Sequence, residues 1–296
     1  MRVLILGATG MLGHKLMQIL SAKFEVIGTI RDDPGVYSDH PILGRMNLIG
    51  NIRADNIGSI RDAVDNTKPD VVINCIGIVK QLPVAQDAIT SITVNALFPH
   101  QLAKICQSCG VRLIHYSTDC VFSGSKGNYH ENDVSDASDL YGRTKYLGEI
   151  GYDNCLTLRT SLIGRELLDS HSLVEWFISQ NGGTVKGFKK AIFSGLTTKA
   201  HGIILSQIIS RFPEMQGLWH LSADPISKYD LLTLIKSVYQ LDIEVVPDNS
   251  VSCDRSLNST KFRKNTAISI PGWNEMITEM YHDERIYESL RKHYDN

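Results

Sequence analysis

The feature that most restricts the fold is a glycine turn near the start of the chain, Gly7-Ala8-Thr9-Gly10-Met11-Leu12-Gly13. It follows the apolar run Val3-Leu4-Ile5-Leu6, which reads as a buried parallel strand, and it opens a stretch with helical apolar spacing over residues 11–20. A chain that passes from a buried strand through glycines directly into a helix has begun a βαβ unit. Glycine at that corner lets the backbone turn tightly and approach a phosphate closely. The helix behind it presents free N–H groups and a partial positive charge to an anion. The GxxGxxG spacing differs from GxGxxG by one residue in its first gap, and its place directly after a strand makes the reading specific. Gly7, Thr9, Gly10, Met11, Leu12 and Gly13 are therefore expected to cradle the pyrophosphate of a dinucleotide.

The pattern continues along the chain. Strands are predicted over residues 24–30, 71–73 and 111–116, alternating with helices over 57–64 and 95–109. This rhythm predicts an α/β fold with a doubly wound parallel sheet over residues 1–158. Beyond residue 158 the rhythm changes to helices over 173–179 and 231–239 and short strands over 217–221 and 243–246. A smaller α/β lobe is expected, built mainly from residues 159–192 and 223–296, with 193–222 returning to the first domain. That lobe should cover the carboxyl ends of the strands, where open α/β sheets bind ligands. A charged surface helix is read over residues 283–296, which leaves an oligomer contact such as a homodimer's open.

A second signal lies downstream in Tyr141-Gly142-Arg143-Thr144-Lys145. On a helix, positions i and i+4 share a face, so the phenol and the ammonium are neighbours. Tyrosine ordinarily titrates near pH ~10, and a nearby cation is expected to lower that value and ready Tyr141 for proton transfer. Lys145 is also within reach of the ribose hydroxyls of a nicotinamide nucleotide. Tyr116-Ser117-Thr118-Asp119 follows a predicted strand and supplies a hydroxyl to bond a substrate oxygen. Cradle, hydroxyl and Tyr/Lys pair occur in the order that hydride transfer to a carbonyl requires. Cofactor choice turns on Gly28-Thr29-Ile30-Arg31-Asp32-Asp33. Arg31 favours the 2′-phosphate of NADP(H), while the two aspartates leave NAD(H) open. Asn74, Cys75 and Gly77 should pass beside the cofactor, and Asp55 and Asn56 are candidates for its adenine side.

Composition excludes other classes. The 30 basic and 32 acidic residues give a formal charge of −2, which offers no attraction for nucleic acid or an anionic membrane. No run approaches the ~20 apolar residues of a membrane span, and no signal-peptide pattern is read, so a cytoplasmic location is expected. The six cysteines read as buried or half-buried reduced thiols, and no metal site is expected. Cys106 and Cys109 have CxxC spacing but close a helix instead of opening one. His14 is expected to face solvent and His115 to be half-buried. Residues 131–139 read as a solvated acidic loop, with Asp139 capping the helix that carries Tyr141.

Taken together these residues resemble the extended short-chain dehydrogenase/reductase superfamily, and within it the dTDP-4-dehydrorhamnose reductase family of sugar-nucleotide 4-ketoreductases. The resemblance extends to His115-Tyr116-Ser117-Thr118-Asp119-Cys120-Val121-Phe122, Leu158-Arg159-Thr160-Ser161, Gly217-Leu218-Trp219-His220-Leu221 and the segment from Arg255 to Phe262. It implies a Rossmann-type fold, Thr118, Tyr141 and Lys145 as the catalytic triad, and Asp119, Cys120, Arg159, Ser161, Trp176 and Arg255 on the substrate side with Thr118. It further implies NADPH-dependent reduction of a 4-keto group on a nucleotide-linked 6-deoxyhexose for surface polysaccharide. Cys120 stands where the rhamnose enzymes carry tyrosine, and residues 193–198 match the family's loop only loosely. These departures leave a related sugar, on UDP or N-acetylated, open. An epimerase or dehydratase with tightly held NAD and a non-catalytic regulatory subunit are the alternatives.

Overall fold

The structure, a computed structural model, describes residues 1–80, 82–168, 171–283 and 287. Its first part alternates strand and helix: β1 (Arg2–Leu6), α1 (Met11–Leu20), β2 (Glu25–Thr29), β3 (Leu48–Ile49), α2 (Ile57–Thr67), β4 (Val71–Asn74), α3 (Ala88–Ser91), α4 (Phe98–Ser108), β5 (Arg112–Ser117), α5 (Leu140–Leu147) and β6 (Cys155–Arg159). There follow β7 (Leu162–Ile163), α6 (Leu173–Ser179), β8 (Thr184–Phe193), β9 (Leu196–Thr197), α7 (Thr198–Arg211), β10 (Gly217–His220), β11 (Ile226–Ser227), α8 (Lys228–Tyr239), β12 (Glu244–Asp254), α9 (Thr260–Thr266) and α10 (Trp273–His282).

Among the described residues, seven strands make one sheet in the order β3-β2-β1-β4-β5-β6-β10, with every neighbouring pair parallel. Successive side chains on a strand point to opposite faces, and both faces here are apolar. Val3 and Ile5 join Leu16, Met17 and Leu20 of α1 and Ile204, Leu205 and Ile208 of α7. Leu4 and Leu6 join Ile60 and Val64 of α2 and Phe98 and Leu102 of α4. The result is the doubly wound Rossmann arrangement. Its strand order reverses between β1 and β4, the crevice where such sheets bind nucleotides.

A second sheet, β11-β8-β12, carries β11 antiparallel and β12 parallel to β8. It packs against α6, α8 and α10 over a separate core that includes Val174, Phe177, Leu231, Ile235 and Ile277. The chain leaves this sheet after β8, runs through α7 to β10 in the large sheet, and returns through β11 and β12. Residues 193–222 thus contribute α7 and β10 to the large sheet's layers.

Three local features depart from the sequence reading. The helix expected over 95–109 begins earlier as a π turn, Ile92–Leu97, and becomes α-helical only at Phe98. Pro99 has no N–H to give the Asn95 carbonyl, so the regular i→i−4 bond is barred at that point. The Asn95 side chain instead ties Ile78 through its N–H (2.9 Å) and its carbonyl (3.0 Å). The widened turn also lies against Gly148, where a Cβ would collide with the Asn95 carbonyl oxygen. The strand expected over 243–246 runs on as β12 to Asp254. Cys109 is exposed, not buried, though free like the others. The surface helix expected over 283–296 lies outside the described residues except for Asp283 and Tyr287. No helix among the described residues is long and apolar enough to cross a membrane.

Candidate active site

The glycine turn is built from backbone. Gly7 takes a left-handed φ of +83° between β1 and α1. A Cβ on Gly13 would strike the Gly7 carbonyl, so the helix approaches the turn more closely than any side chain permits. Gly10 is the N-cap of α1; no side chain caps the helix and its first turn holds no acidic residue. The orphan N–H groups of Met11, Leu12 and Gly13 are therefore left for an anion. Thr9 and the side chains of Met11 and Leu12 are half-buried at this mouth.

His14, expected in solvent, is fully buried. Its Nδ1 lies 2.9 Å from the Gly10 carbonyl and its Nε2 lies 2.8 Å from the Tyr287 hydroxyl. A carbonyl only accepts, so Nδ1 carries the proton and Nε2 accepts from the phenol. Burial pulls the His14 pKa down to about 4, keeping the ring neutral. Tyr287 is also flanked by Lys15 (5.1 Å to the ring centre) and Arg165 (5.0 Å). It thereby ties the phosphate-facing helix to the segment before α6.

The turn after β4 closes on the cradle, with the backbone of Cys75 and Ile76 3.3 Å from where a Gly7 Cβ would stand. Asn74 is fully committed to shaping that turn. Its amide meets His115 Nδ1 (3.1 Å) and accepts from Ile76 N–H (3.0 Å). His115 is fully buried, not half-buried. Gly77 is exposed at the same edge. At the end of β2, Asp32 accepts from the Tyr37 hydroxyl (2.8 Å) and Asp33 caps the turn at Gly35 (2.8 Å). Arg31 is exposed and makes no hydrogen bond or ion pair among the described residues. Asp55 is likewise exposed, but Arg53 holds it by two bonds of 3.0 Å.

The proton-transfer group assembles from three segments. Thr118, just past β5, donates to Asp119 Oδ1 (3.1 Å) and accepts from Cys120 N–H (3.1 Å). Asp139 caps α5 by accepting from Gly142 N–H (2.8 Å), which sets the helix carrying Tyr141 and Lys145. Lys145 Nζ donates to the Tyr116 carbonyl (2.6 Å). Burial lowers the Lys145 pKa to about 8, against the pull of Glu149. Tyr141 differs from expectation. Burial is the largest influence on its phenol and pushes the pKa up, Cys120 and the carboxylates of Asp119 and Asp139 push the same way, and the neighbouring Thr118 hydroxyl opposes them. Lysine proximity does not make a phenolate here; the phenol is held neutral, as a proton donor. Burial likewise raises Asp119 and moves Cys120 up to about 12.

Other expected substrate residues diverge. Arg255, after β12, reaches this pocket, with Nε on the Phe122 carbonyl (2.8 Å) and Nη1 3.8 Å from Cys120 Sγ. Arg159 does not. It is buried on β6, and Glu149 takes its guanidinium by bonds of 2.6 and 2.7 Å, so it has a structural role. Ser161 is half-buried and its carbonyl accepts from Leu196 N–H (2.9 Å). Trp176 is 40% exposed on α6 against Phe177, and no contact joins it to Thr118 or Tyr141. Two residues were missed. Glu149, just past the end of α5, also accepts from Ser117 Oγ (2.6 Å). Lys228, which opens α8, carried no motif; its charge acts on Asp119 and Cys120. Among the described residues no group of three or more His, Cys, Asp and Glu side chains is placed to hold a metal.

Comparison with known proteins shows the family and the fold. Residues 1–182 match the family described as RmlD substrate binding domain. Across 316 aligned residues the chain is 25% identical to a dTDP-4-dehydrorhamnose reductase of Burkholderia thailandensis, covering 94% of this chain and 97% of that protein. Over 149 residues it is 28% identical to methionine adenosyltransferase 2 subunit beta of Xenopus laevis, covering 50% of this chain and 41% of that one. Its fold is similar to the crystal structure of a dTDP-4-dehydrorhamnose reductase from Bacillus anthracis in complex with NADP. The TM-score is 0.79 at 20% identity, over 95% of this chain and 99% of that one.

Proposed function

Because the chain belongs to the RmlD substrate binding domain family and is an NAD(P)-dependent oxidoreductase of the extended short-chain dehydrogenase/reductase type, we propose that it reduces the 4-keto group of a nucleotide-linked 6-deoxyhexose with NADPH. The observation that supports this reading is that the Thr118 hydroxyl meets the neutral Tyr141 phenol while Lys145, one helical turn on, is tied to the Tyr116 carbonyl two residues before Thr118. The reaction it serves would be a cytoplasmic step in supplying sugars for surface polysaccharide.

The cradle fits a dinucleotide. Glycines leave no Cβ at the turn, the α1 N-terminus has no side-chain cap, and no carboxylate opposes a phosphate there. Arg31 supports NADPH over NADH, since among the described residues no hydrogen bond or ion pair holds it, while Asp32 and Asp33 are engaged in their own turn. When bound, the reduced nicotinamide supplies the hydride. Tyr141 protonates the oxygen of the forming alcohol, and the Thr118 hydroxyl fixes the carbonyl by a hydrogen bond. Lys145, charged below about pH 8, supplies a cation on the same helix face and donors for ribose hydroxyls.

The test is nicotinamide oxidation by the purified protein with enzymatically generated dTDP- and UDP-linked 4-keto-6-deoxysugars, NADPH and NADH in parallel, and Tyr141→Phe as control. Stoichiometric NADPH consumption that the variant abolishes supports the reductase and names its nucleotide. Firm cofactor binding without turnover of any keto sugar would overturn it in favour of an epimerase with retained NAD or a partner subunit.

A further inference from the structure

Among the described residues, the Lys228 ammonium has no hydrogen-bond or ion-pair partner, although charges of the Thr118 segment act on it. The ladder of the second sheet sets Ser227, Ile192 and Asp254 abreast, because Ser227 pairs with Ile192 and Ile192 with Asp254. Each outer strand then yields a cation at its next position, Lys228 on one side of β8 and Arg255 on the other. Arg255 is fixed by the Phe122 carbonyl and lies against Cys120 Sγ. Lys228 Nζ sits 5.0 Å from the centre of the buried Phe193 ring and makes no hydrogen bond or ion pair among the described residues. Asp119 and Cys120, the two residues after Thr118, act on its charge.

A half-buried ammonium is strongly hydrated in water and costly to leave without oxygen acceptors. The cation–π contact with Phe193 answers only part of that cost, typically ~0.5–2 kcal/mol. Resting on the reductase reading above, we propose that Lys228 is a specificity-determining residue that donates to an oxygen of the sugar, next to the carbonyl being reduced. Charge decides between the sugar and the diphosphate. A diphosphate on Lys228 would also face the Asp119 carboxyl, which opposes an anion when ionised. Neutral sugar oxygens suit both groups, since a hydroxyl can donate to Asp119 while a neighbouring oxygen accepts from Lys228. An acceptor and a cation side by side read a vicinal pair of oxygens. Lys228 thereby fills, from the lobe, part of the polar role left vacant by a cysteine at position 120.

The test pairs kinetics with binding on the full chain carrying NADPH. In Lys228→Met, KM for the keto sugar rises about tenfold or more with kcat reduced less, and Lys228→Arg recovers part of the loss. Affinity for free dTDP or UDP and for NADPH stays at the wild-type value. The extra affinity of dTDP-glucose over dTDP, or of UDP-glucose over UDP, shrinks in the methionine variant. That last reading does not depend on turnover, so it judges Lys228 even if no keto sugar proves to be a substrate. Equal losses for the nucleoside diphosphate and the nucleotide sugar would overturn the assignment in favour of a diphosphate contact. An unchanged sugar increment together with unchanged KM would show that Lys228 does not touch the substrate.

Discussion

The glycine turn that would cradle a cofactor and the proton-transfer group around Tyr141 are made differently. The cradle is backbone: a left-handed glycine, a helix N-terminus and a second turn pressed against the first, all but the last within residues 7–13. The proton-transfer group is side chain: Thr118 just past β5, Tyr141 and Lys145 from α5, and Arg255 just past β12. A backbone site is local in sequence and fails when anything is added to it. A side-chain site is scattered, and each member can be removed without disturbing the rest of the fold. The two should therefore separate cleanly under mutation.

Tyr141→Phe is the sharpest cut, because it removes one hydroxyl from the pocket and nothing from the cradle. It should lower kcat by about 10²–10⁴-fold with NADPH affinity unchanged, measured by steady-state oxidation and fluorescence titration. Loss of cofactor affinity instead would show that the two sites are not separable. Arg159→Met tests whether the pocket rests on hidden scaffolding. Glu149 would be left buried without its partner, and a loss on the order of 3–5 kcal/mol should appear in chemical denaturation. A loss under ~1 kcal/mol would mean that the pair is not structural. Gly13→Ala makes the opposite cut to Tyr141→Phe. Its Cβ meets the Gly7 carbonyl, so α1 must shift at a cost of about 1–3 kcal/mol, and NADPH affinity should fall with the tyrosine's chemistry intact. Binding at wild-type strength would refute the close-approach argument.

The pH response is smaller and runs in two directions. Burial lowers Lys145 from the ordinary 10.5 to about 8. If the ammonium serves catalysis, kcat/KM falls as pH rises through about 8, and Lys145→Met loses that limb. Stability moves the other way. The unfolded lysine holds its proton more tightly, so the fold bears a penalty below about pH 8 that is relieved as pH climbs toward 10.5. A basic limb near 10 in the wild-type profile would reject the shifted value. The least effect is expected from Asp139→Ala, which removes the cap of α5 and should cost ~1 kcal/mol, read as a drop in melting temperature.

The same contrast explains what the sequence disclosed. Strands such as Val71–Asn74 and the glycine turn were legible because buried parallel strands are continuous apolar runs and tight corners demand glycine. Helix α7 was not. Its buried face includes His201 and Ser206 among the isoleucines, so its polar residues disguise a core position. β12 escaped because much of it is exposed and its pattern has no clean alternation. His14 looked solvent-facing because a histidine after a phosphate turn gives no sign of a phenol 273 residues away. The Tyr/Lys pair was placed correctly on one helix, but the sign of the tyrosine's shift depended on burial, which spacing does not encode. Lys228 was invisible for the converse reason: its neighbours come from β8 and from the loop after β5.

That His14–Tyr287 bond has a meaning on the ribosome. At synthesis rates of about 5–20 residues per second, the phosphate-facing helix emerges tens of seconds before the phenol that completes it. During that interval the large sheet's first strands can pair, yet the imidazole of α1 has no partner for its Nε2 and cannot be sealed. The buried Nε2 of His14 therefore gains this partner only once Tyr287 has been translated, 273 residues later.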